Sequence, residues 1–342
     1  MNSLAQAQLV EQEILTHHAA LKTQPMQGAA PSFSAHPSNL EHFKNTTGIQ
    51  LLDLVPEEFI SIFEGARKAC AKLEFVELDS LILAGAWVRQ TMRLGQFVAS
   101  QWPTQRVDFG LKSHAGNSAF TPCPQKLGLY AVLANAAFVS RMARVGVPTL
   151  QLRFKSDDEY LIEKEIERCV QACTGLASNL FINDHWRLAI KHGAYGVHLG
   201  QEDVHALSRE DWAQIKASGL RLGISTHGYS EMIRADALQP SYIAMGAVFP
   251  TTLKKMQTPP QGLARLKQYA SLLRDYPLVA IGGITERDFA SVLETGVGSI
   301  AVVREIVQDT NPEEKARLLC RLLNTETTET TETTETTENT KP

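Results

Sequence analysis

Between Leu129 and Leu323 the chain alternates two rhythms of apolar residues. Short apolar runs recur every ~20 to 30 residues: LYAVL from Leu129, TLQLRF from Thr149, LFIN from Leu180, GVHLG from Gly196, LGIST from Leu222, YIAMGAVF from Tyr242, LVAIGG from Leu278 and SIAVV from Ser299. Between them lie longer stretches of helical period, such as DEYLIEKEIERCVQAC and ERDFASVLET. Strands this apolar are covered on both faces, as in a parallel sheet. Eight such repeats in about two hundred residues predict an α/β fold, a (β/α)8 TIM barrel over 127–323. The competitor is an open doubly wound sheet, but no Gly-rich turn follows the first strand.

Outside the barrel the pattern changes twice. Residues 24–45 are rich in Pro, Ser, His and Asn and read as a linker, while PEEFISIFEGARKACAKLEF and ELDSLILAGAWVRQTMRLGQFVASQW carry helical periodicity. Residues 1–126 are therefore expected to be a helical extension that packs on the barrel or on a second subunit, the latter making a homo-oligomer. Its second helix resembles, weakly, a late helix of ribokinase-like pyrimidine kinases, without their glycine-rich anion hole or catalytic carboxylate. The repeat TETTETTETTETTENTKP, within 324–342, buries too little apolar surface to order itself and is expected to be a disordered tail.

Composition narrows the ligand. With 342 residues, 44% hydrophobic and 20% charged, the chain can bury one full-sized core and an appended segment. A net charge of -4 supplies no broad basic field, so an anionic ligand must be held by a few local cations, and a small molecule is expected rather than nucleic acid. Glu11 and Glu13 interrupt the apolar core a secretory signal would need, and no run reaches membrane-spanning length, so a cytoplasmic location is expected. Five scattered cysteines, Cys169 and Cys173 among them, read as reduced packing residues.

The active site of such a barrel lies at the C-terminal ends of its strands. Strand two exits through Gln151, Arg153 and Lys155, alternate residues on one side of an extended chain. Strand three exits through Asn183 and Asp184, strand four reaches Asp203, strand five ends in Ser225 and His227, and strand six delivers Thr251, Lys254 and Lys255. Arg153, Lys155 and Lys254 can hold a pyrophosphate with a further hydrogen bond from Asn183, while Asp184 and Asp203 hold a Mg2+ that neutralises the same oxygens. Gly282 and Gly283 after strand seven, and the amides around Val302 and Val303 after strand eight, stand where barrels hold a single phosphate.

Each residue has a plainer alternative. An Asp after a strand is more often a turn residue or helix N-cap than a ligand, His198 could be a core histidine satisfied by backbone, and Ser225 and His227 could form a capped turn. Paired glycines could be a tight turn and nothing more. What favours chemistry is that all of these fall at one end of one barrel.

The stretches QLRFK, FINDHWRLAIKHGAYGVHLGQED, LGISTH, VFPTTLKK, VAIGGI and GVGSIAVV occur in the order and spacing of the thiamine phosphate synthase family, and look like its enterobacterial type. The resemblance spans about residues 127 to 310 and leaves out the N-terminal segment and the tail. It implies an enzyme joining 4-amino-5-hydroxymethyl-2-methylpyrimidine pyrophosphate to a thiazole phosphate, giving thiamine phosphate and pyrophosphate. By the resemblance, Gln151 and Ser225 face the pyrimidine, and Arg153, Lys155, Asn183 and Lys254 hold its pyrophosphate. Asp184 and Asp203 bind Mg2+, and Thr251, Gly283, Val302 and Val303 line the thiazole phosphate end. The implied loss of pyrophosphate is dissociative, which calls for charge neutralisation and alignment rather than a nucleophile.

Two positions depart from the family pattern. Ala134, beside Asn135, stands where the first strand usually ends in Asp, and Leu253 replaces a hydroxyl in the strand-six loop. They keep two alternatives open: a thiazole tautomerase-like enzyme that needs no pyrophosphate, and a non-catalytic thiamine phosphate binding protein.

Overall fold

Eight short strands run parallel and close on themselves in sequence order in the computed structural model of the chain, which describes residues 3–23, 55–112, 120–251 and 258–324. They are β1 Gly128–Leu133, β2 Thr149–Leu152, β3 Asn179–Asn183, β4 Gly196–Leu199, β5 Arg221–Thr226, β6 Tyr242–Met245, β7 Leu278–Ile281 and β8 Ser299–Val302. The fold is the (β/α)8 barrel that the apolar runs predict. β2 and β6 stop short of their runs, so Arg153 and Lys155 stand just beyond a strand end rather than within it. The linker-like stretch 24–45, the Thr/Glu repeat beyond 324 and the residues Leu253, Lys254 and Lys255 lie outside the described residues.

Helices build the N-terminal segment and alternate with the strands. In the N-terminal segment these are α1 Ser3–His18, α2 Ile60–Lys72 and α3 Glu77–Leu94. Among the strands come α4 Ala136–Arg144, α5 Glu159–Cys173, α6 Trp186–His192, α7 Gln201–Ala206, α8 Arg209–Ala217, α9 Tyr229–Leu238, α10 Gly262–Leu272, α11 Phe289–Leu293 and α12 Arg304–Val307. Local chemistry starts several of them. Asn135 caps α4 by accepting from Phe138 N at 3.0 Å, and Asp158 caps α5 by accepting from Tyr160 N at 2.9 Å. Asn135 is thus engaged as a cap, and does not replace the carboxylate that Ala134 lacks.

The chain divides into two compact units. One comprises 120–225, 240–244 and 276–342, and the other 1–119, 226–239 and 245–275. In the first, alternate strand residues fill the barrel: Tyr130 and Val132 of β1, Phe181 of β3, Tyr242 and Ala244 of β6, Val279 of β7 and Ala301 of β8 form one buried cluster. Glycine makes room for the largest of them. A Cβ at Gly223 would fall on the Tyr242 ring, and one at Gly196 on the Phe181 ring.

In the second unit α1, α2 and α3 pack with α9 and α10, the helices that follow β5 and β6. α1 crosses α2 at Gly65, where a Cβ would meet Val10 at 2.7 Å. Two buried charges then join the N-terminal helices to the later ones. Arg265 of α10, 3% exposed, donates to Leu73 O at 2.6 Å and Leu21 O at 2.9 Å, at the ends of the α2 and α1 segments. A guanidinium there meets the negative ends of those helices. Asp79 of α3 makes the complementary contact, accepting from Tyr229 N at 3.0 Å and Ser230 N at 2.8 Å at the start of α9. Trp102 Nε1 also donates to Tyr229 Oη at 2.9 Å, and Arg106 pairs with Asp236 at 2.9 Å.

Candidate functional site

β2 ends at Leu152, and the next residues carry cations to the rim. Lys155 Nζ lies 2.6 Å from Asp184 Oδ2, joining the chain after β2 to the chain after β3. Asp184 itself has a left-handed backbone, φ 65°, a conformation that Asp and Asn tolerate better than most residues. Its side chain does not cap α6; it faces Lys155, so the commoner capping role fails at this position.

Asp203 does both things. It lies in the first turn of α7, where its Oδ2 accepts from Gly200 N at 3.1 Å, and it stands close enough to Asp184 for the two charges to act on each other. Burial works to raise the Asp184 carboxyl, and the Lys155 ammonium outweighs it, holding Asp184 below the ordinary carboxylate range. Asp203 moves the opposite way, pushed up by burial and then by the charge of Asp184. Two adjoining carboxylates compete for one lysine. A hard divalent cation suits such an oxygen-only pair, because Mg2+ is bound by one or two carboxylates with the remaining positions left to water and phosphate oxygens.

Deeper in the barrel the polar groups are paired. Gln151 Nε2 donates to Asn183 Oδ1 at 2.7 Å, and both residues are buried. Ser225 Oγ lies 2.8 Å from His198 Nε2, and His198 Nδ1 lies 2.6 Å from Tyr242 Oη. Tyr242 Oη in turn is 2.7 Å from Tyr130 Oη, so a hydrogen-bonded chain runs from the end of β5 through β4 and β6 to β1. Gln201 Nε2 donates to Ser225 O at 2.6 Å. Both ring nitrogens of His198 have side-chain partners, and Tyr242 and Gln201 were not legible as parts of this site. Their only signal is position: His198 alternates with Gly196, and that puts it on the inward face of its strand.

The remaining expected residues occupy strand ends. Gly283 follows β7 with φ 70°, and Gly282 has φ 102°, conformations that favour glycine. Val302 closes β8, and Val303 packs against the interior cluster. Thr251 is half-buried in the chain after β6, and Arg153 is half-buried, with its backbone N–H donated to Leu133 O at 2.8 Å. His227 is drawn to its own helix: its Nδ1 lies 2.7 Å from Glu231 Oε2, the capped-turn alternative. The structure therefore brings Lys155, Asp184 and Asp203 together, pairs Gln151 with Asn183, and sets Ser225 on His198.

Residues 130–306 match the family model described as thiamine monophosphate synthase. A thiamine-phosphate synthase of Neisseria meningitidis is 51% identical over 194 residues, 57% of this chain and 93% of that protein. One of Serratia proteamaculans is 51% identical over 189 residues, 55% of this chain and 88% of that protein. Among solved structures, the thiamine phosphate pyrophosphorylase of Pyrococcus furiosus superposes with a TM-score of 0.52 at 26% identity, covering 58% of this chain and 96% of its own. Among the described residues no helix is long and apolar enough to cross a membrane.

Proposed function

Because the chain belongs to the thiamine monophosphate synthase family and is an enzyme of thiamine phosphate synthesis, we propose that it works by dissociative loss of pyrophosphate from a pyrimidine pyrophosphate. The observation that carries this reading is the cluster of Lys155, Asp184 and Asp203, a cation beside a carboxylate pair at the strand ends. Mg2+ held by Asp184 and Asp203 supplies neutralisation of the leaving pyrophosphate when bound. Lys155, Arg153, Lys254 and Asn183 bind the same group and hold its charge.

Gln151 and Ser225 orient the pyrimidine. His198 and Tyr242 fix the Ser225 hydroxyl from beneath, so that its position is set before substrate arrives. The C–O bond at the pyrimidine methylene breaks with its electron pair leaving on pyrophosphate, and the ring amino group stabilises the cation that remains. The thiazole nitrogen then supplies the pair for the new C–N bond. Thr251, Gly283, Val302 and Val303 hold the thiazole phosphate. No nucleophile is required, and alignment with electrostatic stabilisation carries the rate.

Retention of the pyrophosphate and carboxylate residues favours this reading over a thiazole tautomerase, which has no pyrophosphate to hold. Ala134 and Leu253 are the only support for a non-catalytic binder. The test is pyrophosphate release from the two substrates with and without Mg2+, beside Asp203→Ala. Release that requires the metal, both substrates and Asp203 supports the mechanism; release that survives chelation rejects the metal role, and thiamine phosphate binding without release favours the binder.

A further inference from the structure

We propose that Asp79, in the N-terminal segment that the family match leaves out, is a positioning residue for the turn carrying β5 into α9. α9 begins without a cap of its own. The residue before it is Gly228, which has no side chain, so the first N–H groups of the helix need an acceptor from elsewhere. Asp79 supplies it with both oxygens, Oδ2 to Tyr229 N at 3.0 Å and Oδ1 to Ser230 N at 2.8 Å, from 150 residues earlier in the chain.

Several features show that the contact is built rather than incidental. Asp79 is 3% exposed, and a carboxylate that deep is costly unless its oxygens are hydrogen-bonded. The positive end of α9 is the favourable place for it. A Cβ at Gly228 would fall on Asp79 Oδ2, so glycine at this position admits the carboxylate. Arg106 with Asp236 and Trp102 with Tyr229 fasten the same helix to the same N-terminal segment.

The turn so held is short and consequential. Thr226 O accepts from Gly246 N at 3.1 Å, His227 N donates to Glu231 Oε2 at 2.8 Å, and Ser225 is the preceding residue of β5. With Asp79 in place, the α9 amides are committed to a protein carboxylate and not offered to a substrate phosphate. The N-terminal segment thereby becomes a working part of the enzyme.

The kinetic consequence rests on the function proposed above; the structural one does not. In the full chain, Asp79→Ala should speed hydrogen exchange at the Tyr229 and Ser230 amides about five- to tenfold, the size of a lost cap. It should raise the KM for the pyrimidine pyrophosphate by a similar factor while the KM for the thiazole phosphate moves less than about twofold. Asp79→Asn, which keeps the shape but one acceptor fewer, should fall between Ala and wild type, and Gly228→Ala should resemble Asp79→Ala. If Asp79→Ala fails to fold, Asp79→Asn carries the comparison.

Unchanged exchange overturns the proposal, as does an Asn variant indistinguishable from wild type, since packing alone would give that result. Faster exchange with an unchanged pyrimidine KM overturns the link to the turn's function. If the wild-type chain releases no pyrophosphate, the proposed function fails and the exchange data alone decide Asp79.

Discussion

Lys155 and Asp184 form an ion pair 2.6 Å long between two strand exits, and Lys155 keeps more than half of its side chain in water. An exposed pair of this kind contributes little to folding, about 0.5 kcal/mol or less. Lys155→Ala should therefore leave the unfolding midpoint almost unchanged. The same variant removes a cation from the proposed pyrophosphate site and should lower kcat/KM at least about tenfold, roughly 1.4 kcal/mol. Parallel melting curves and steady-state kinetics check the two halves separately; a large drop in stability would mean that the pair is structural.

Gly223→Ala should be destabilising out of proportion to one methyl group. The added Cβ falls on a fully buried Tyr242 ring that has no free direction to move, and overpacking of this sort costs about 1–3 kcal/mol. Urea unfolding measures it.

Removing the Tyr242 hydroxyl tests the interior network from the opposite direction. Tyr242→Phe keeps the ring and leaves Tyr130 Oη and His198 Nδ1 each short of a partner. Buried groups left unpaired cost about 1–3 kcal/mol, so the variant should unfold at lower urea. A Phe variant as stable as wild type would show that the hydroxyl chain contributes nothing.

His18 gives the fold a pH dependence. Its Nε2 donates to Ala99 O at 2.8 Å and its ring packs edge-on to Trp102, and burial lowers its pKa from the ordinary 6.5, against the pull of that hydrogen bond. The unfolded chain therefore binds this proton more readily than the folded one. Stability from this group is present above pH 6.5 and declines as the pH falls below it toward the folded value. Thermal unfolding at steps from pH 7.5 to 5 should show the decline, and His18→Gln should flatten its share of it.

The eight strands were legible because each is a short apolar run bounded by polar turns, a pattern that needs no knowledge of partners. Lys155 and Asp184 were legible as charges at strand exits, and the structure makes them neighbours. Asp203 was half legible: the sequence places a carboxylate there without showing that it also caps α7. The side-chain partners of His198 were not legible because an apolar strand says nothing about what lies across the barrel, where Tyr242 waits 44 residues later. The grouping of α9 and α10 with the N-terminal helices was hidden for the same reason, since Asp79 and Tyr229 share no local period.

That grouping sets the timetable of synthesis. Asp79 leaves the ribosome 150 residues before Tyr229, and Leu21 precedes Arg265 by 244. At about 5–20 residues per second the α3 face waits roughly 8 to 30 s for α9, and the end of α1 waits longer for α10. The N-terminal helices are among the last to be completed, and during that interval their apolar sides are open to chaperones and to one another.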